Sequence, residues 1–111
     1  MSSRRLLAMV ATATVVLAGC AGGRPPRGQL LSEGRRVFVS AGCGVCHAVA
    51  SVHTHGGVGP NFDTSEQLDR DQIRIQLDYG GGGMPPFRDR LSAGQRDAVI
   101  EFVYQTLHHR R

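Results

Sequence analysis

The sequence predicts an all-α domain of three main helices built around one covalently attached prosthetic group. Three observations predict it. Apolar residues recur at helical spacing in three separate stretches. Two of those stretches open on a capping box. Between the first and second lies Cys43-Gly44-Val45-Cys46-His47, a C-x-x-C-H run of the kind that attaches a c-type haem.

The chain opens with Arg4 and Arg5 ahead of an apolar run from Leu6 to Ala18. That run is too short to be a comfortable membrane span and reads as the apolar part of an export signal over residues 1–19. It closes on Leu17-Ala18-Gly19-Cys20, which resembles the bacterial lipobox. The resemblance implies cleavage before Cys20 and lipidation of that cysteine; an ordinary secretory cleavage site beside a stray cysteine is the alternative. The three cysteines favour the lipobox, with Cys20 for lipid, Cys43 and Cys46 for haem, and none left over.

From Cys20 to Gly28 the density of Gly and Pro reads as a flexible tether. It would hold a domain over residues 29–111 close to a membrane. One acyl chain binds weakly; the resemblance to lipoproteins, which carry more, implies a firm anchor. Without Arg4 and Arg5 the formal charge of +4 falls to +2. No basic patch argues for nucleic acid. The mature chain has six aromatic residues, so its core would be thin, and a buried haem would fill it.

The first helix is expected over Gln29 to Ala41, where Leu30, Gly34, Val37, Phe38 and Ala41 share one face. Gly34 costs about 1 kcal/mol relative to Ala. It marks either the close approach of another helix or an incidental weakness near a helix start. Cys43 and Cys46, three apart on one helical turn, face the same way. Both can then bond the haem vinyl groups, with His47 beneath the iron. A redox dithiol wants a βαβ context, and half a zinc site wants a second ligand pair. The chain offers neither.

The middle helix is expected from Arg70 to about Tyr79. Asp69 caps it with Gln72 at the third position, Ile73 and Leu77 share a face, and Gly80 stops it. Ser92 and Gln95 form the capping box of the last helix. Its apolar stripe is Val99, Phe102, Val103 and Leu107, flanked by Ile100 and Tyr104. Arg96, Asp97, Glu101 and Gln105 are expected on the opposite side, and His108 to Arg111 are expected to fray into solvent.

Taken together these residues resemble a class I cytochrome c in its short bacterial form, over Leu30 to Leu107. Gly34 and Phe38 match the glycine and aromatic of that family's N-terminal helix, and Phe102 matches the aromatic of its C-terminal helix. The resemblance implies that the two helices cross and touch at the glycine. Gly59-Pro60-Asn61-Phe62, whose proline stands thirteen positions after His47, resembles the family's Gly-Pro loop; an ordinary turn is the other reading. In the family the proline carbonyl accepts from the proximal histidine, which makes Pro60 the residue that orients His47. Met84, the one methionine after the signal, stands between Gly80–Gly83 and Pro85-Pro86 and resembles the family's Met-Pro motif. The resemblance implies that Met84 is the second axial ligand, a soft thioether that raises the potential; the bland alternative is core filler. Met84 stands only 37 positions after His47, which predicts a haem edge less covered than in longer members.

His53 and His55 follow His47 closely and are expected in a solvated loop. Arg88 and Arg90 are expected as haem propionate partners or surface charges. The resemblance implies one haem c, bound by Cys43, Cys46, His47, Met84 and Pro60, with iron held by His47 and Met84. It implies single-electron transfer between membrane-associated redox partners, a dehydrogenase, cytochrome complex or oxidase, on the periplasmic or outer side of the membrane. No small-molecule substrate and no catalytic residue are expected. The alternatives are a haem enzyme or gas sensor with a displaceable distal ligand, and a cytochrome subunit of a dehydrogenase or oxidase complex.

Overall fold

Pro26 caps the start of the first helix. In the computed structural model, which describes residues 13–15, 19 and 22–109, helix α1 spans Arg27–Ser40 with Pro26 at its N-cap. A proline there forfeits no helical hydrogen bond and presets the backbone. The helix therefore starts two residues before the expected Gln29, and the expected tether of 20–28 loses Arg27 and Gly28. Residues 1–12, 16–18, 20 and 21, which carry most of the expected signal and the lipidation candidate Cys20, lie outside the described residues. Among the described residues no helix is long and apolar enough to cross a membrane.

A single 3-10 turn over Cys43–Val45 follows α1. Two short strands, β1 (Ala48–Val49) and β2 (Thr54–His55), then pair antiparallel in the register Ala48↔His55 and Val49↔Thr54. The all-α reading missed this hairpin, because strands of two residues leave no period to detect. His53 turns it in the left-handed region at φ 56°, and His53 and His55 are both exposed.

Helix α2 spans Arg70–Tyr79 and α3 spans Ala93–His108. Both begin on complete capping boxes: Gln72 N donates to Asp69 Oδ1 at 2.8 Å, Gln95 N donates to Ser92 Oγ at 3.1 Å, and each glutamine side chain accepts the cap residue's N–H. Two orphan donors are satisfied at each start.

Helices α1 and α3 meet at Gly34. A Cβ built on it would overlap the Ala98 carbonyl and lie 2.7 Å from Phe102 Cβ. Only a glycine lets the backbones come this close. Beside the contact Phe38, 1% exposed, sets its ring 5.5 Å from that of Phe102. Val37, Val99, Ile100, Val103 and Leu107 continue the core, and Ile73 and Leu77 of α2 close it.

The polar face expected on α3 is interrupted. Glu101 is 5% exposed. Arg70 donates to it twice, at 2.7 and 3.0 Å, Gln105 donates at 2.9 Å, and Arg27 approaches to 3.7 Å. The Arg70 hydrogen bond above all holds the Glu101 carboxyl down, to a pKa of about 2. The Arg70 guanidinium also lies 3.5 Å over the Tyr104 ring. His108 stacks on that ring at 4.1 Å and donates through Nε2 to the Leu68 carbonyl at 2.9 Å. His108 is thus the last residue of a docked helix and does not fray. The start of α2 pulls in the acid and the histidine, which helical periodicity alone assigns to solvent.

Candidate haem site

The turn after α1 sets the site's first wall. Cys46 N and His47 N both donate to Cys43 O, at 3.2 and 2.9 Å, so the three residues are wound on one tight turn. Cys43 and Cys46 are free thiols, half-buried. Burial pushes the Cys43 thiol pKa up. His47 is 8% exposed. Its Nδ1 lies 3.0 Å from the Pro60 carbonyl oxygen. A carbonyl only accepts, so Nδ1 carries the hydrogen and the Nε2 lone pair is left for a metal. The Phe62 ring stacks on the imidazole, with centroids 4.5 Å apart and planes 16° from parallel. A Cβ on Gly59 would stand 2.5 Å from His47 Cε1, so the chain passes beside the ring only as glycine.

Another part of the cavity wall comes from the segment after α2. Gly80, Gly81, Gly82 and Gly83 all have positive φ, from 62° to 120°, a backbone that other residues adopt at a cost. Gly81 N donates to Met84 O at 2.9 Å and Met84 N to Gly81 O at 3.1 Å. This tight return presents Met84, half-buried, with Gln76 Nε2 3.8 Å from its sulfur.

Cys43, Cys46, His47, Pro60 and Met84 line one cavity of about 460 Å³. Phe38 of α1, Leu77 of α2 and Val99, Ile100 and Val103 of α3 supply its apolar walls, and Arg90 stands at the wall as a cation. His53 and His55 do not line it, and Arg88 turns away to donate to Tyr79 Oη at 2.7 Å. A groove of about 530 Å³ between α1, α3 and residues 51–63 contains none of the expected site residues. Among the described residues no three His, Cys, Asp or Glu side chains gather as a metal site, so the cysteine pair lacks the partners a zinc site needs.

The donor set suits a haem. Two thiols stand one turn apart, a buried imidazole keeps one nitrogen free, a thioether reaches the same cavity, the walls are apolar, and a guanidinium can meet a carboxylate. Sequence reasoning did not single out Phe62 for its stack or Gln76 for its approach to Met84. Phe62 adjoined a recognised motif, but Gln76 belongs to no motif and is legible only once α2 is placed.

Three comparisons bear on this geometry. Residues 29–103 match the family model described as cytochrome c oxidase, cbb3-type, subunit III. Cytochrome c6 of Cladophora glomerata is 30% identical over 81 residues, which cover 68% of this chain and 88% of that protein. The crystal structure of the c-type cytochrome SorU from Sinorhizobium meliloti superposes with a TM-score of 0.65 at 28% identity, covering 72% of this chain and 93% of that one.

Proposed function

The chain belongs to the class I c-type cytochromes, electron-transfer haem proteins with one covalently bound haem c, and we propose that it is a one-electron carrier with His47/Met84 axial ligation. In this reading Cys43 and Cys46 hold the haem through thioether bonds. His47 supplies Nε2 to the iron while Pro60 fixes its tautomer and raises its basicity. Met84 would offer its thioether sulfur to the iron. A haem held by these residues would supply one-electron redox chemistry, and a Met ligand would raise its potential.

The observation that carries the reading is the shared cavity. A buried imidazole with a free Nε2 and a thioether pinned by a glycine return line the same apolar space. The protein side of such a site has little to rearrange on electron transfer. Apolar walls and the Phe62 stack hold His47, and the paired Gly81–Met84 backbone hydrogen bonds close the return that presents Met84. Arg90 would neutralise a propionate. A carrier without substrate chemistry of its own, exported by residues 1–19 and anchored through Cys20 beyond the cytoplasm, completes the proposal; its partners would be membrane-associated redox proteins.

Absorption spectra of the holoprotein test it. A c-type reduced spectrum with a weak long-wavelength Met-to-ferric-iron band, lost in Met84→Ala, is the expected result. Haem without that band removes Met84 as ligand and brings the enzyme or sensor reading forward, which ready carbon monoxide binding by the reduced protein would support. The family model's description, a subunit of a cbb3-type oxidase, favours a second reading as a subunit of such a complex. Copurification with an oxidase would distinguish it from a free carrier.

A further inference from the structure

The segment that presents Met84 leaves α2 at Tyr79 and returns beside it at Phe87. Four consecutive glycines make it conformationally permissive, so its geometry depends on how its two ends are held. Three contacts act between the ends themselves. Phe87 N donates to Leu77 O at 2.9 Å, Arg88 N to Asp78 O at 3.4 Å, and Arg88 Nη1 to Tyr79 Oη at 2.7 Å.

A fourth contact comes from another helix. Arg96, early in α3, places Nη1 3.2 Å from Asp78 Oδ1 and 3.3 Å from the carbonyl oxygen of Arg88. The two N–H bonds of one nitrogen thus reach the residue just before the loop and the residue just after it. The Arg96 and Asp78 side chains are only 17% and 12% exposed. Arg96 Nε is buried with no acceptor among the described residues. A pair withdrawn from water in this way adds little net stability. What the arrangement does supply is a fixed distance between Asp78 and Arg88.

We propose that Arg96 is a positioning residue that clasps the Met84 loop shut and thereby sets how often Met84 leaves the iron. The inference rests on the His47/Met84 ligation proposed above. Opening the loop separates Asp78 from Arg88, so Nη1 can no longer reach both and at least one of its two bonds must break. An external ligand binds only the open loop, and its apparent affinity therefore reports the open fraction. Arg90 stands at the cavity wall and Arg88 is itself clasped; neither bridges the two ends from a second helix.

Imidazole titration of the ferric holoprotein, at one fixed pH, is the test, with backbone amide exchange measured alongside. Arg96→Met is expected to bind imidazole about tenfold more tightly than wild type, as a loop open about ten times as often would. Amides from Gly80 to Arg88 should exchange faster while those of α1 and of α3 beyond Val99 keep their wild-type rates. Wild-type imidazole affinity together with wild-type loop exchange overturns the proposal. Faster exchange throughout the domain also overturns it, since Arg96 would then be a general structural residue. If Arg96→Met does not fold, Asp78→Asn removes the charged acceptor and is read by the same two measurements. A wild-type protein with haem but no Met band refutes the ligation instead. The exchange of residues 80–88 then still decides whether Arg96 clasps the loop.

Discussion

His47 and Pro60 are joined through a 3.0 Å contact from imidazole Nδ1 to the proline carbonyl oxygen, and Gly59 is what allows the chain to reach that position. A Cβ at residue 59 meets the imidazole at 2.5 Å. Gly59→Ala must therefore turn the ring, lengthen the Pro60 contact or shift the loop. Overpacking of this kind costs about 2 kcal/mol, and denaturant unfolding of the holoprotein should show it. Where the ring that carries Nε2 is what turns, the same variant should also alter the long-wavelength Met band.

Gly34 allows a sharper comparison. An alanine there drives its methyl into the Ala98 backbone and Phe102, neither of which is the free end of a flexible side chain. Gly34→Ala should lose about 3 kcal/mol or fail to fold. Gly28 lies in the same helix with nothing within 4 Å of its added Cβ. Gly28→Ala should gain up to about 1 kcal/mol from helix propensity. Urea midpoints of the two variants, read against wild type, check both signs.

Gln76 approaches Met84 Sδ at 3.8 Å and also donates to Gly81 O at 3.2 Å. If Met84 is the ligand, a donor near its sulfur withdraws electron density and favours ferrous iron. Gln76→Leu should lower the reduction potential by roughly 40 mV, the size of one modest hydrogen bond on a one-electron couple. A potentiometric titration measures this directly, and an unchanged potential would show that the amide acts on Gly81 alone.

Glu101 should make the fold sensitive to acid. Its carboxyl is lowered from 4.5 to about 2, so its contribution is complete above pH 4.5 and is lost as the pH falls towards 2. That contribution is about 3 kcal/mol. Glu101→Gln should be less stable than wild type by roughly that amount at neutral pH, with the two curves converging near pH 2. Urea unfolding of both proteins across this range checks the convergence. Arg70 and Arg27 keep much of their side chains in water, so the variant leaves no fully buried cation behind.

Those two carboxyl and amide residues also mark the limit of what the sequence made legible. Helices α2 and α3 follow local rules, a cap followed three residues later by glutamine and then apolar residues on one face, and both begin where those rules place them. The Gly34 and Phe38 pattern was readable because a helix repeats its face every three or four residues. Glu101 was misplaced because its partner Arg70 is 31 residues away, and no local period carries that information. Gln76 escaped for the same reason, since the glycine return alone carries Met84 back to α2. The hairpin of Ala48 to His55 was too short to show alternation, and the start of α1 was hidden by prolines that serve equally in a tether and in a first helical turn.

The seam at Gly34 has a topological consequence. It fastens the first helix to the last, so the domain is in effect a ring whose covalent chain is one closure and whose α1–α3 contact is the other. Opening the ring between Gly57 and Glu66 would put the two candidate iron ligands, His47 and Met84, on different fragments. One fragment would keep Cys43, Cys46 and His47, the other Met84, and each would retain one half of the seam that selects its complement. Two separately made pieces would then have a built-in address for finding each other, and the iron itself would report the moment of reassembly.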